Sequence, residues 1–385
     1  MPTEVFNAPV KRVTDKSGYH FFGYYDKSPW DVEDQCMLAL QVTFENRPPK
    51  PGDAATIGIL NPESNYTFES LAVTHAWNWQ QGCMLQWIPR TRRKIIYNDR
   101  EGGRFISVIL DVESGDSYNL PLPIYTLSHD GGKALTLNFS RLARTRPGYG
   151  YVGVPDLYAD EKAPEEDGIY ILDLRSGEAE LIISIDQMAR FKPRSDMDNA
   201  VHWFNHLLFN PDDERFMFLH RWSHELGGPR KTRLFTANLN GEDIYFLGDE
   251  ASHYDWRDSK HILAWARKRG IGDRFFLFRD QSEDFEIIGD GVLTRDGHCS
   301  YSPDRRWILT DTYPDKNNER RLLLYNPDED RLVEIGRFYS KPELKGEIRC
   351  DLHPRWSRKG DKICIDSTHE GTRQMYVIDV SEIVK

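Results

Sequence analysis

The stretch HCSYSPDRRWILTDTYPDKNNERRLLLYNPDEDRLVEIGRF, residues 298–338, decides the fold. A polar start leads into the turn Ser302-Pro303-Asp304 and the run Trp307–Asp311. A polar loop follows, then Leu322–Tyr325, the turn Asn326-Pro327-Asp328-Glu329-Asp330 and the run Arg331–Ile335. Short runs rich in Ile, Val, Tyr and Phe between Pro, Asp, Asn and Gly turns read as antiparallel strands. Residues 353–380 (HPRWSRKGDKICIDSTHEGTRQMYVIDV) repeat the scheme, and residues 84–116 and 207–243 do so again. Units open near Gly23, His75, Tyr125, His202, His253, His298 and Arg349, with steps of 45 to 52 residues and one of 77. Four short strands per unit at this period predict an all-β chain folded as a seven-bladed β-propeller. The last unit ends after its third strand, at Met375–Val380. The strand-like run EVFNAPVKRVTD, residues 4–15, is left without a unit. It is predicted to become the outer strand of the last blade and close the ring, making residues 1–385 one domain.

Few stretches carry a helical period; Asp186–Phe191 predicts about one turn of helix. No stretch approaches the roughly 20 apolar residues of a membrane helix, and the N-terminus lacks a charged-then-apolar signal pattern. The five cysteines are odd in number and scattered, unlike a disulfide framework. A cytoplasmic protein without membrane or nucleic-acid partners is expected, the latter from the net charge of -11. An acidic ligand remains compatible with that charge where basic groups gather locally. A monomer or small homo-oligomer is expected.

The long step contains SRLARTRPGYGYVGVPDLYADEKAPEEDG, about residues 140–168, inside the third unit. A loop this long in a compact fold is either functional or disordered. Its Arg141, Arg144, Arg146, Tyr149 and Tyr151 argue for a segment that covers or rims the mouth of the channel. The bland alternative is packing on the side of the blade.

Blade starts converge at one end of a propeller, so the polar residues there converge too. Candidates are His202, His206, His220 and Arg221 in HWFNHLLFNPDDERFMFLHRW, His253 in ASHYDW, His298 in DGHCSYSPD, and Arg349, Asp351 and His353 in EIRCDLHPRW. Asp351 and His353 are two apart, which on a strand sends both side chains to one face. With His298 from the adjoining unit they predict a divalent-cation site for manganese, zinc or a similar ion. Cys299 and Cys350 offer a rival zinc site, which strand alternation disfavours. A single strand histidine is more often a satisfied buried residue than a ligand; His129, His261 and His369 read as surface.

These residues resemble those of the oligogalacturonate lyases, seven-bladed propeller lyases that act on short uronic-acid oligomers. Tyr25-Asp26-Lys27 stands where that family has Tyr-Gln-Lys, and residues 140–168 stand where it has a long insertion. HLLFNPDDERFMFLHRW matches its His-strand-PDD element at His206 and His220, and Ser252-His253-Tyr254 resembles its Thr-His-Glu. The family binds manganese through one His, matching His298, and a Gln…His-x-His-Pro element whose last His matches His353. Here Asp351 replaces the middle His, and Glu347 and Ile348 stand where the Gln would be. The FNHLLF…FLHRW element is also similar to the propeller ulvan lyases, which use His, Tyr and Arg without a catalytic metal.

Either resemblance implies β-elimination from an acidic oligosaccharide. The proton at carbon 5 of a uronate is removed and the glycosidic oxygen at carbon 4 leaves. The carboxylate must be neutralised so that the developing charge is stabilised. His298, Asp351 and His353 with a divalent metal (manganese, with zinc or calcium as alternatives), or Arg221, would do this. His206 or His220 is the expected base, with His253 next, and another His, a Tyr or water is the proton donor. Arg221 and Arg349 would hold carboxylates bidentately. Tyr25 and Trp79, set in paired-aromatic stretches that suit blade packing, are the candidates for stacking a sugar. Two other classes compete. One is a non-catalytic binding propeller, since fold alone does not fix function. The other is a propeller glycoside hydrolase using paired carboxylates among Asp26, Asp296 and Asp351. A serine hydrolase lacks its Gly-x-Ser-x-Gly elbow.

Overall fold

A computed structural model describes residues 3–385. The chain is all-β, as expected, and antiparallel four-stranded groups follow one another along it. The residues quoted at the outset form Ser300–Tyr301, Ile308–Asp311, Glu319–Asn326 and Arg331–Tyr339. Their turns are held by the side chains the sequence supplies there. Ser302 Oγ accepts the Trp307 N–H at 3.0 Å, and Asn326 Oδ1 accepts the N–H groups of Asp328 and Glu329 at 3.0 and 3.2 Å. An eight-stranded sheet in the middle of the chain is two such groups joined at one pair, Asp249 with Arg267. The apolar runs are buried on both faces because the groups pack face to face. Phe21, Leu40, Trp77 and Leu85 of the first two groups share a cluster with Cys364 and Met375 of the last.

The N-terminal run meets the expectation in part: Val10–Arg12 is the outer strand of the last sheet, and Glu4–Val5 is not. It is split between two sheets. Glu4–Val5 runs parallel to Arg331–Tyr339, while Val10–Arg12 pairs antiparallel with Gln374–Asp379. Pro9, which lacks an N–H, stands at the break; its carbonyl accepts from Asp379 at 3.2 Å.

Two loops of the first and second groups interlock tightly. Gly23 has φ +142, and a Cβ there would lie 2.8 Å from the Gln81 carbonyl oxygen. Gly82 has φ +61, with the Phe22 oxygen 2.7 Å from its would-be Cβ. Only glycine suits such positions. This approach seats the Gln81 backbone against Gly23, next in sequence to Tyr24 and Tyr25.

The insertion is packed and ordered. Phe139–Thr145 is a helix capped by Asn138, whose side chain accepts the Arg141 N–H. Phe139 stacks on Tyr151 at 4.4 Å. Arg141, 1 % exposed, donates to the carbonyls of His202, Tyr158, Glu161 and Lys162 at 2.8–3.1 Å. One guanidinium thereby fixes both ends of the segment. The expected short helix is Ile185–Arg190, capped by Ser184, one residue earlier than its pattern suggested.

Candidate active site

His206 lies inside the strand Val201–Phe209, not at its start. The register with Arg215–Ser223 shifts between Asn205 and Leu207, and His206 takes φ 56. A bulge of this kind re-aims a side chain. Asn205 Oδ1 accepts the His206 N–H at 2.9 Å and supports the left-handed backbone. The imidazole stacks on Tyr24 at 5.0 Å, and its Nδ1 lies 3.0 Å from Tyr125 Oη, which also takes a hydrogen bond from Gln81 at 2.6 Å. Burial, then the charge of Arg221, push its pKa well below the ordinary histidine value.

Tyr24 is a hub that the sequence reading passed over for its neighbour. Its ring also touches His353 at 4.9 Å, His298 at 5.8 Å and Tyr149 at 6.2 Å. Tyr149 comes from the insertion and stands edge-on to His206 at 5.7 Å. Its Oη accepts from Arg349 Nη2 at 2.8 Å, and the Arg146 guanidinium lies 4.7 Å over its ring. Burial raises its phenol pKa, but Arg349 and Arg146 outweigh burial and hold it at about 8. Arg and Tyr in the insertion were visible in the sequence; their convergence with His206 was not.

His298, Asp351 and His353 do come together, their ligand atoms all within 4.8 Å of one another. The route differs from the expected one. Residues 349–354 are not a strand, and His353 reaches the cluster from φ 41. His298 Nδ1 lies 2.9 Å from Asp311, which orients the ring, and the Nε2 atoms of both histidines are buried without a partner. Two orphaned imidazole nitrogens, a carboxylate and an outer carboxylate fit a divalent cation. Asp351 is shared, however, with Arg349 at 2.6 Å and Arg320 at 2.7 Å. Burial would raise the Asp351 carboxyl, but the two arginines and the two histidines hold it well below the usual range. Cys299 and Cys350 are not in the cluster.

Arg221, 3 % exposed, has Nε and Nη1 buried without partners. His220 does not join it, because adjacent strand residues leave on opposite faces. His220 Nε2 is 3.0 Å from His202 and Nδ1 2.9 Å from Arg233, so both ring nitrogens are engaged in a separate structural network. That corrects its candidacy as base. Arg349 is likewise bound to Asp351, Tyr149 and the Gly346 carbonyl, and is not free to hold a carboxylate alone. His253 pairs with Asp296 at 2.8 Å and packs on His298 at 4.2 Å.

Neither proposed stacking residue is a platform. Tyr25 Oη donates to the Tyr254 carbonyl and accepts the Tyr254 N–H, both at 2.9 Å. Trp79 is 2 % exposed, bonded to the Arg47 carbonyl and packed on Phe21 and Trp77. Trp79→Ala is expected to cost about 3–5 kcal/mol of stability in denaturant unfolding. Any affinity for the uronate oligomers that the resemblance implies should be unchanged where the variant is folded; weakened binding there would restore the stacking role. The paired-carboxylate alternative also loses support. Asp26 is held by Lys27, Asp296 by His253 and Asp351 by arginines, so each faces a base, not another acid.

All-β architecture built from successive four-stranded antiparallel groups is that of the β-propeller proteins. Among solved structures, the chain is similar to oligogalacturonate lyase from Vibrio parahaemolyticus, with a TM-score of 0.67 and 15% identity over 98% of this chain and 95% of that one. It is equally similar to an oligogalacturonate lyase in complex with manganese (TM-score 0.67, 13% identity, 97% and 93% covered). The β-propeller domain of the trilobed protease from Pyrococcus furiosus is further away (TM-score 0.51, 12% identity, 90% of each chain). A scan against protein-family models and a search of curated proteins give no match.

Proposed function

We propose that this chain is a lyase that cleaves uronate-containing oligosaccharides by β-elimination. The four-stranded groups would be seven blades of one ring, closed by Val10–Arg12 on the last. The observation that carries the reading is the meeting of His206, Tyr149 and the unpartnered Arg221 beside the His298–Asp351–His353 cluster. His206, kept neutral by burial, takes the proton from carbon 5. That role requires its lone pair on Nε2, with the Nδ1 proton held toward Tyr125. Tyr149, protonated at neutral pH, gives a proton to the departing oxygen at carbon 4. The electron pair of the broken C–H bond becomes the new carbon–carbon double bond, and no water is consumed. Arg221 stabilises the negative charge that builds on the carboxylate as the proton leaves. A divalent cation, manganese in the first instance, held by His298, Asp351 and His353 would add Lewis-acid charge to the same carboxylate. The two pKa values are pushed apart by their surroundings, which supports this choice of base and acid.

The test is ultraviolet absorbance of the conjugated double bond on a panel of oligogalacturonate, ulvan, alginate and glycosaminoglycan fragments. A rise is expected with at least one. Chelator, and His353→Ala, are expected to lower the rate if the cation contributes; a rate indifferent to both assigns neutralisation to the arginines alone. No rise with any substrate, with or without added manganese, would sink the lyase reading in favour of a binding protein.

A further inference from the structure

Three arginines in this site lack any anion. Arg146 belongs to the insertion, Arg221 to the strand Arg215–Ser223, and Arg230 to the loop that follows it. None of their guanidiniums makes an ion pair or hydrogen bond among the described residues, and Nε is buried and unpartnered in all three. Arg221 is buried and Arg146 and Arg230 are half-buried; other buried arginines here each keep at least one partner for the guanidinium. Arg355 has Asp366, Arg320 has Asp351, and Arg141 and Arg233 hold backbone carbonyls. Burying an unpaired charge is costly, and a chain of net charge -11 has carboxylates to spare. Burial and the charges of Arg230 and Arg146 bring Arg221 down to about 9, so the three repel one another.

One reacting carboxylate carries a single charge, too few for three guanidiniums. On the lyase reading above, we propose that Arg146, Arg221 and Arg230 also form a subsite for a second oxyanion, carried by the sugar next to the reacting uronate. The planar guanidinium fork matches carboxylate and sulfate oxygens alike. The shared chemistry is therefore a second oxyanion, from either another uronate carboxylate or a sulfate ester.

Calorimetric binding to the full chain tests this without requiring turnover. The probes are unsaturated disaccharides, which no longer carry the bond to be broken: one uronate joined to a neutral sugar, one joined to a second uronate, and one joined to a sulfated sugar. Either or both doubly anionic probes are expected to bind at least about tenfold tighter than the singly anionic one, as one charge-assisted contact implies. Which of the two does so identifies the source. Arg230→Gln is expected to bring that ratio close to one, with an unchanged circular dichroism spectrum. Arg146→Gln serves as the second variant should Arg230→Gln not fold. Equal binding of all three probes, or a ratio that survives both substitutions, would overturn the subsite. A retained ratio in a protein that forms no double bond on any longer substrate would overturn the lyase reading alone.

Discussion

Tyr149→Phe is expected to lower turnover of uronate oligomers by roughly 10²–10⁴-fold, the range of a lost general acid. The substitution removes one oxygen. Arg349 stays fixed by Asp351 at 2.6 Å, so the fold and the neighbouring charges are kept. The pH profile separates this role from a structural one. In the proposed reaction Tyr149 works as the protonated phenol, and its pKa is held at about 8. Activity should therefore fall as pH rises through about 8 in the wild type. The residual activity of Tyr149→Phe should lack that descending limb. A variant that keeps the limb, or loses little rate, would remove Tyr149 from the chemistry. An activity that instead climbs through pH 8 would make the phenolate the base and displace His206.

The second large effect concerns stability. Arg355, 1 % exposed, meets Asp366 at 2.7 Å and also donates to the carbonyls of Gly23 and Tyr24. It fastens the last sheet to the first, under the Tyr24 hub. Arg355→Met leaves Asp366 buried and uncompensated, which should cost about 3–5 kcal/mol, a large part of a typical total of about 5–15 kcal/mol. Urea unfolding reads it as a lower midpoint. Adding Asp366→Leu should recover much of the loss, because two matched apolar side chains avoid the orphaned charge. A single variant as stable as wild type would show that water reaches Asp366.

Much of the architecture was legible in the sequence because turn chemistry and β-rich runs are local. Ser302, Asp304 and Asn326 hold the turns they announce. The metal-like cluster was legible too, since unit starts converge whatever the loops do. What escaped the reading was set by backbone detail. A one-residue bulge decides where His206 points, and strict alternation separates His220 from Arg221. Tyr149 and Arg146 lie more than 50 residues before the strand Val201–Phe209, and no local pattern links them to it. Trp79 and Tyr25 show the reverse error. An aromatic pair reads the same whether it faces solvent or core, and here both are core.

The Arg141 staple has a kinetic consequence. Four carbonyls of the insertion and the adjoining strand converge on one guanidinium of the chain itself. Tyr149, seated on Arg349, belongs to this braced segment. Association should then proceed in a single step whose rate grows linearly with ligand concentration, with no slow isomerisation to saturate it. Discrimination among sugars would rest on a rigid template and on departure rates, not on a closing movement that the right sugar must provoke.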